Sequence, residues 1–328
     1  MKKVLVLASA LLTALSANAS SVSVALDTAP DRENSGTYRY VDNLLQSLND
    51  KGWQTESYPR NSVGDESTRL NKVRAGTLDI SMSQYSSAAQ FVPEMQVLQL
   101  PYTFINTDHQ YNFFVNSGYL DSINRRLSSE GLRVLAVIPT GGFLGIFNNE
   151  YPVKTVADMS GLRMRALDTN QLTIFQMMGA SGVLIPFSEV PNALRLGIAD
   201  GYLNASPVPI IFKHTELLKY FTDAKVMMSA RLVLASQYWW DNLTKEEKAQ
   251  FSASSIEAQK EVFQWVNQSE EAHHKALMAA GMEVYQPTEE DLLTFKSAVA
   301  TMNQKVKGVP FERVVLLQKM VSDFRPNN

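Results

Sequence analysis

The sequence predicts an α/β protein of two domains, each a mainly parallel sheet with helices on both faces. Three observations carry that expectation. Short apolar runs alternate with segments of helical period; the alternation runs through once, restarts near residue 144 and ends in one helical stretch of unusual length; and 328 residues that are 45% apolar are more than one core usually organises.

In the first unit, residues 21–26 alternate small polar and apolar side chains and run into a loop at 27–30. A helix over 38–48 leads to a short strand near 53–58. A second helix over 66–73 is stopped by Gly76, and 78–82 is a buried strand. One helix is expected over 109–127, then a strand over 133–138 that ends at Pro139 and Thr140-Gly-Gly142. The second unit reads strand 145–148, strand 162–166, helix 171–178, strand 183–185, helix 190–196 and strand 201–203, and 225–235 is an apolar run returning toward the first unit.

Thr244 and Glu247 have the spacing of a capping box. They open a helical pattern that lasts to about Ala280, about 54 Å at 1.5 Å per residue, long enough to lie across both domains. Thr288 and Asp291 start a further helix, and 311–324 is the last. The expected organisation is 20–143 plus about 230–260 as domain I, 144–229 as domain II, a bracing helix over about 244–280, and helices over 281–328 packed on the domains. At least two crossings between domains make a hinge rather than a loose tether.

Lys2 and Lys3, the apolar run 4–15 and the small residues Ala17 and Ala19 read as a cleaved export signal over 1–19, with the mature chain starting near Ser20. The run is about half of the roughly 20 residues a spanning helix needs. Loss of the two lysines takes the formal charge from −3 to about −5, which gives no reason to expect nucleic acid or an anionic membrane surface as partner. With no cysteine, disulfides, thiolate metal sites and a cysteine nucleophile are excluded.

The sharpest chemistry lies between Asp158 and Asn204. Gly161-Leu-Arg-Met-Arg165, Pro186-Phe-Ser-Glu-Val190 and Asp200-Gly-Tyr-Leu-Asn204 put a cation, an aromatic ring and an amide at the ends of successive short strands. In an open α/β sheet ligands bind beyond the carboxyl ends of strands, and a guanidinium matches a carboxylate with two parallel charge-assisted bonds. Strand parity puts Arg163 on the same side as Arg165, so periodicity alone does not choose between them.

Together with Met178-Gly-Ala180, Ala193, Leu194 and Gly197, these segments resemble the signature of solute-binding proteins of tripartite ATP-independent periplasmic (TRAP) transporters. Gly64-Asp65-Glu66, Gly76-Thr-Leu-Asp-Ile80, Leu100-Pro-Tyr-Thr-Phe104 and the Trp240, Leu243 pair extend the resemblance over nearly all of the mature chain. It implies the two-domain periplasmic binding protein fold, closing on a small organic anion and serving a small and a large membrane subunit. A periplasmic monomer without cofactor or metal is expected. It implies that Arg165 binds the ligand carboxylate, that Asn204 helps hold it, and that Phe187 packs on the ligand body. Asp27, Glu66 and Gln84 of the first domain, with Asp168, supply the rest.

One departure from the family pattern bears on the ligand. Leu144, in Gly142-Phe-Leu-Gly145, stands where many relatives carry a second arginine. Asp27, Glu66 and Asp168 then surround a single arginine, and buried acids need partners. The expectation is therefore a hydroxylated monocarboxylate or a zwitterion whose hydroxyls, ammonium group or accompanying metal meet these acids, rather than a dicarboxylate. Tyr202 either narrows the cleft or belongs to the core.

The rival readings are a subunit that presents its ligand to a receptor kinase and a hydrolase using Asp27, Glu66 or Asp168 as acid and base. Trp239, Trp240, Met177 and Met178 read as packing residues. His273 and His274 point about 100° apart on a helix and read as solvated; His109 and His214 lack companions at metal-ligand spacing. Neither Thr140-Gly-Gly142 nor Gly179-Ala-Ser-Gly182 has the spacing of a phosphate loop, and no Gly-x-Ser-x-Gly elbow is present.

Overall fold

The computed structural model describes residues 20–326, so the expected export signal lies outside the described residues. Among them, no helix is long and apolar enough to cross a membrane. The strands follow as β1 (Ser21–Ala25), β2 (Gln54–Tyr58), β3 (Ile80–Ser83), β4 (Leu132–Ile138), β5 (Phe143–Asn148), β6 (Arg163–Ala166), β7 (Ser181–Leu184), β8 (Gly201–Ala205), β9 (Tyr220–Met228), β10 (Arg231–Ser236) and β11 (Glu283–Tyr285). They form two sheets, ordered β2-β1-β3-β10-β4 and β11-β9-β5-β8-β6-β7. In the first, β1 runs parallel to β2 and β3 while β10 is antiparallel to both its neighbours. In the second, β6 is parallel to β7 and β8, and β5 is antiparallel to β8 and β9. This is the mixed α/β, two-domain periplasmic binding protein fold.

Local chemistry starts the helices. Ser35, Asp65, Asp168 and Thr244 each sit at an N-cap in extended conformation and accept a backbone N–H of the first turn. Alternate residues of the first sheet feed two cores. Val24, Met82 and Val233 pack in one with Tyr40 and Phe251, while Ala25, Val134 and Leu232 pack in the other with Phe113 and Ile123. Both faces are covered, which is why these strands read as apolar runs.

The chain passes from the first sheet to the second between β4 and β5 and returns between β9 and β10. The crossings are tied together: Gly141 N–H donates to Ser229 Oγ at 3.1 Å, whose hydroxyl donates back to Gly141 O at 2.9 Å. The helix Lys245–Ala279 lies across both sheets. On the first side Ser255 Oγ shares a 2.7 Å hydrogen bond with Tyr40 and Glu261 pairs with Arg39; on the second, Leu277 joins the cluster of Phe147 and Phe221.

Three expectations are corrected. The helix expected over 109–127 is two, Thr107–Asn116 and Tyr119–Leu127, because Gly118 takes φ +69° between them. The run 225–235 is the end of one sheet's strand and the start of the other's, not one segment. His273 and His274 are buried, not solvated. The long helix is covered on two sides here, so a 100° difference in direction takes neither ring to water: His273 meets Trp265 edge-on and His274 packs on Phe221.

Two predictions follow from this packing. A Cβ on Gly201 would sit 1.8 Å from Phe147 O, so Gly201→Ala should force β8 off β5 and lower unfolding free energy by about 3 kcal/mol, read by urea denaturation. Burial lowers the His273 pKa to about 4, below the unfolded value of about 6.5. Its neutral ring therefore supports folding fully above pH 6.5, and that contribution is lost as pH falls toward 4. Thermal melts between pH 7 and pH 4 should show a steeper fall in Tm for the parent than for His273→Gln; parallel curves would refute it.

Candidate functional site

A cleft of about 680 Å³ opens between the two sheets, beyond strand ends of both. Arg165 lies at the end of β6 and is only 2% exposed. Its Nε donates to Ile185 O at 2.9 Å, the guanidinium stands 5.5 Å from the centre of the Phe187 ring, and Nη2 is buried with no partner among the described residues. Burial, reinforced by the nearby charge of Arg231, pulls its pKa down to about 10, so it remains a cation at neutral pH.

Strand parity left Arg163 as an alternative. The structure separates the two: Arg163 is half-exposed and bonds Asp200 through Nη2 at 2.5 Å and Nε at 3.2 Å. The same carboxylate accepts the Arg163 backbone N–H at 2.7 Å, so Asp200 fixes β8 beside β6. Four residues on, Asn204 lines the cleft; its Oδ1 accepts Ala205 N–H, and among the described residues its amide nitrogen donates to no protein group.

Phe187, Asp168, Leu144, Asp27, Glu66 and Gln84 also line the cleft. Tyr202 does not. It is fully buried behind the cleft, packed on Phe147, with its hydroxyl 3.2 Å from His214 Nδ1. Burial lowers the His214 pKa to about 4, keeping that ring neutral near the arginines.

The charge balance differs from the sequence expectation of one arginine among unpartnered acids. Arg60, Arg69 and Arg231 line the same cleft. Glu66 is fully engaged: Oε2 accepts Arg69 Nη2 at 2.7 Å, and Oε1 accepts the Gln84 N–H and the Ser87 hydroxyl at 3.0 and 2.8 Å. Asp27 Oδ2 accepts Arg231 Nε at 2.9 Å, while Oδ1 and the neighbouring Thr28 Oγ1 are buried without partners among the described residues. Asp168 caps the helix Thr169–Met177 through Gln171 N–H, and burial raises its pKa. Each of the three acids thus has at least one protein partner, so no zwitterion or metal is needed to neutralise them, although Asp27 Oδ1 is left over.

Signals for the missed arginines existed. Arg69 follows Glu66 at the i, i+3 helical spacing. Arg60 comes just after β2, where the strand-end rule says to look. Arg231 opens β10, whose antiparallel course brings its first residue to the edge where the parallel strands finish. Arg60 lies 5.1 Å from the centre of the Phe187 ring and 4.8 Å from that of Phe212. Outside the cleft, Asp223, Glu270 and His274 bring potential metal-ligand atoms within 4.8 Å of one another, with Lys225 Nζ 3.5 Å from Asp223.

The profile of the family described as "DctP: Bacterial extracellular solute-binding protein, family 7" matches residues 33–308. The 2,3-diketo-L-gulonate-binding periplasmic protein YiaO of Escherichia coli K12 is 27% identical over 272 residues, 81% of each chain. A TRAP periplasmic solute-binding protein of Bradyrhizobium sp. BTAi1, solved with D-galacturonate, is 26% identical with a TM-score of 0.81 over 92% of this chain and 99% of that one. The sugar acid-binding protein DctPAm of Advenella mimigardefordensis, solved with galactonate, shares the fold at a TM-score of 0.83 and 22% identity, over 94% and 99%. The chain belongs to family 7 of the bacterial extracellular solute-binding proteins, the DctP-like receptors of TRAP transporters.

Proposed function

We propose that this chain is exported to the periplasm, captures a small sugar-acid-like carboxylate between its domains, and delivers it as a monomer to the TRAP membrane subunits. One observation carries the reading: Arg165 is buried as a cation with an unpartnered Nη2. Keeping such a donor dry and unpaired is costly, and a carboxylate that takes it up removes the cost through charge-assisted bonds. Asn204 supplies an amide donor to the same region, and Phe187 offers a ring face for the ligand body. The relatives bind 2,3-diketo-L-gulonate, D-galacturonate and galactonate, all acids of the same size class, which supports the choice of ligand.

Closure follows from where the contacts lie. Arg165, Asn204 and Phe187 belong to the second sheet and its loops, and Asp27, Glu66 and Gln84 to the first. A ligand touching both stabilises the closed form by the contacts it makes only there. We place the hinge at the paired crossings, 139–142 and 229–230, whose mutual hydrogen bonds hold the two connections together. Against the hydrolase reading, Glu66 and Asp27 already accept from arginines and are poorly placed to exchange protons with a substrate.

Arg165→Ala should weaken binding of the best sugar acid by about 2 to 5 kcal/mol in titration calorimetry while leaving the melting curve of the free protein near that of the parent. Unchanged affinity would remove Arg165 as the anchor and the reading with it.

A further inference from the structure

Of the five arginines lining the cleft, three are occupied: Arg69 by Glu66, Arg231 by Asp27 and Arg74 by Glu130. Among the described residues, Arg60 and Arg165 alone in that lining lack a carboxylate partner. They come from opposite sides. Arg165 ends β6 of the second sheet, whereas Arg60 follows β2 of the first and reaches over Phe187 and Phe212, which follow β7 and β8. Both guanidinium groups stand over the Phe187 ring, at 5.1 and 5.5 Å from its centre, so they are at most about 11 Å apart, a gap that a six-carbon diacid bridges with a hydrogen-bonded contact at each end. Contact with a ring face uses the plane of a guanidinium and leaves its N–H edge for acceptors. Burial works against the Arg60 charge, and a second anion would offset that. The buried, unpartnered Asp27 Oδ1 and Thr28 Oγ1 suit the hydroxyls of a polyol.

We infer that Arg60 is a second anion anchor, and that the preferred ligand is a sugar diacid: one carboxylate on Arg165, a hydroxylated middle on Asp27 and Thr28, and a second carboxylate on Arg60. This rests on the reading of Arg165 as the first anchor, and it reverses the sequence expectation of a monocarboxylate, which assumed no second free cation.

The test is calorimetry on the mature protein with six-carbon pairs that differ only in the oxidation of the far end, galactarate against galactonate and glucarate against gluconate. In the better-binding pair the diacid should bind about tenfold or more tightly, as a charged hydrogen-bonded contact implies. Arg60→Gln should erase that preference by lowering diacid affinity to the level of the monoacid, and Arg60→Lys, which keeps the charge but not the planar fork, should retain part of it. Equal affinities for diacid and monoacid in the parent overturn the Arg60 assignment. So does a loss in Arg60→Gln that is the same for both acids, since Arg60 would then serve the carboxylate at Arg165. In both cases Arg165→Ala still weakens binding and the first anchor stands. If no acid binds the parent, both readings fall together.

Discussion

The buried cation of Arg165 is the constraint around which the strand ends of the second domain are arranged. A guanidinium in a dry site is tolerable only when its donors meet acceptors, and here the protein supplies one at Nε and withholds one at Nη2. An arginine on a loose segment would swing out to water. This one is held by strand register, because β6 is paired on both edges, with β7 on one side and β8 on the other. Gly201 lets β8 lie close against β5, and Asp200 grips both the backbone and the side chain of Arg163. The ordering cost of the site is thus met during folding rather than on binding, which is what preorganisation means for affinity.

The first domain contributes by what it leaves over. Its two acids nearest the ligand space are already neutralised, and those ion pairs fix the walls rather than await a ligand. What remains is a set of single atoms, Asp27 Oδ1 and Thr28 Oγ1, together with the Arg60 guanidinium. The two contributions are coupled through connections that are themselves bonded, Ser229 to Gly141, and through a helix that packs on both sheets.

Much of this was legible because it is written locally. The capping box at Thr244, strand alternation and the long helix depend on residues within a few positions of one another, and the arginine that faces the cleft is one of two that parity allows. What escaped depends on residues far apart in the chain. Asp27 and Arg231 are 204 positions apart, so no window of sequence reveals that the acid is spent. The adjacent histidines show the same limit: helix geometry gives the angle between them, and only the two domains packed around the helix decide that both directions are interior.

The density of recognisable residues between Asp158 and Asn204 combines two jobs. Arg163, Asp200 and Gly201 set register and line up strands; Arg165, Asn204 and Phe187 face the cleft. A resemblance built on both kinds transfers the fold and the position of Arg165, since the register that aligns the strands also sets where that side chain lies. It transfers little about the first-domain side of the cleft, where Arg60 and Thr28 stand outside every recognisable segment. These lie on loops after β1 and β2, where substitutions leave strand pairing intact. If Arg165 anchors the solute, selectivity can therefore vary on those loops without disturbing that anchor, and the charge they leave unpaired, rather than the motif, becomes the guide to the solute.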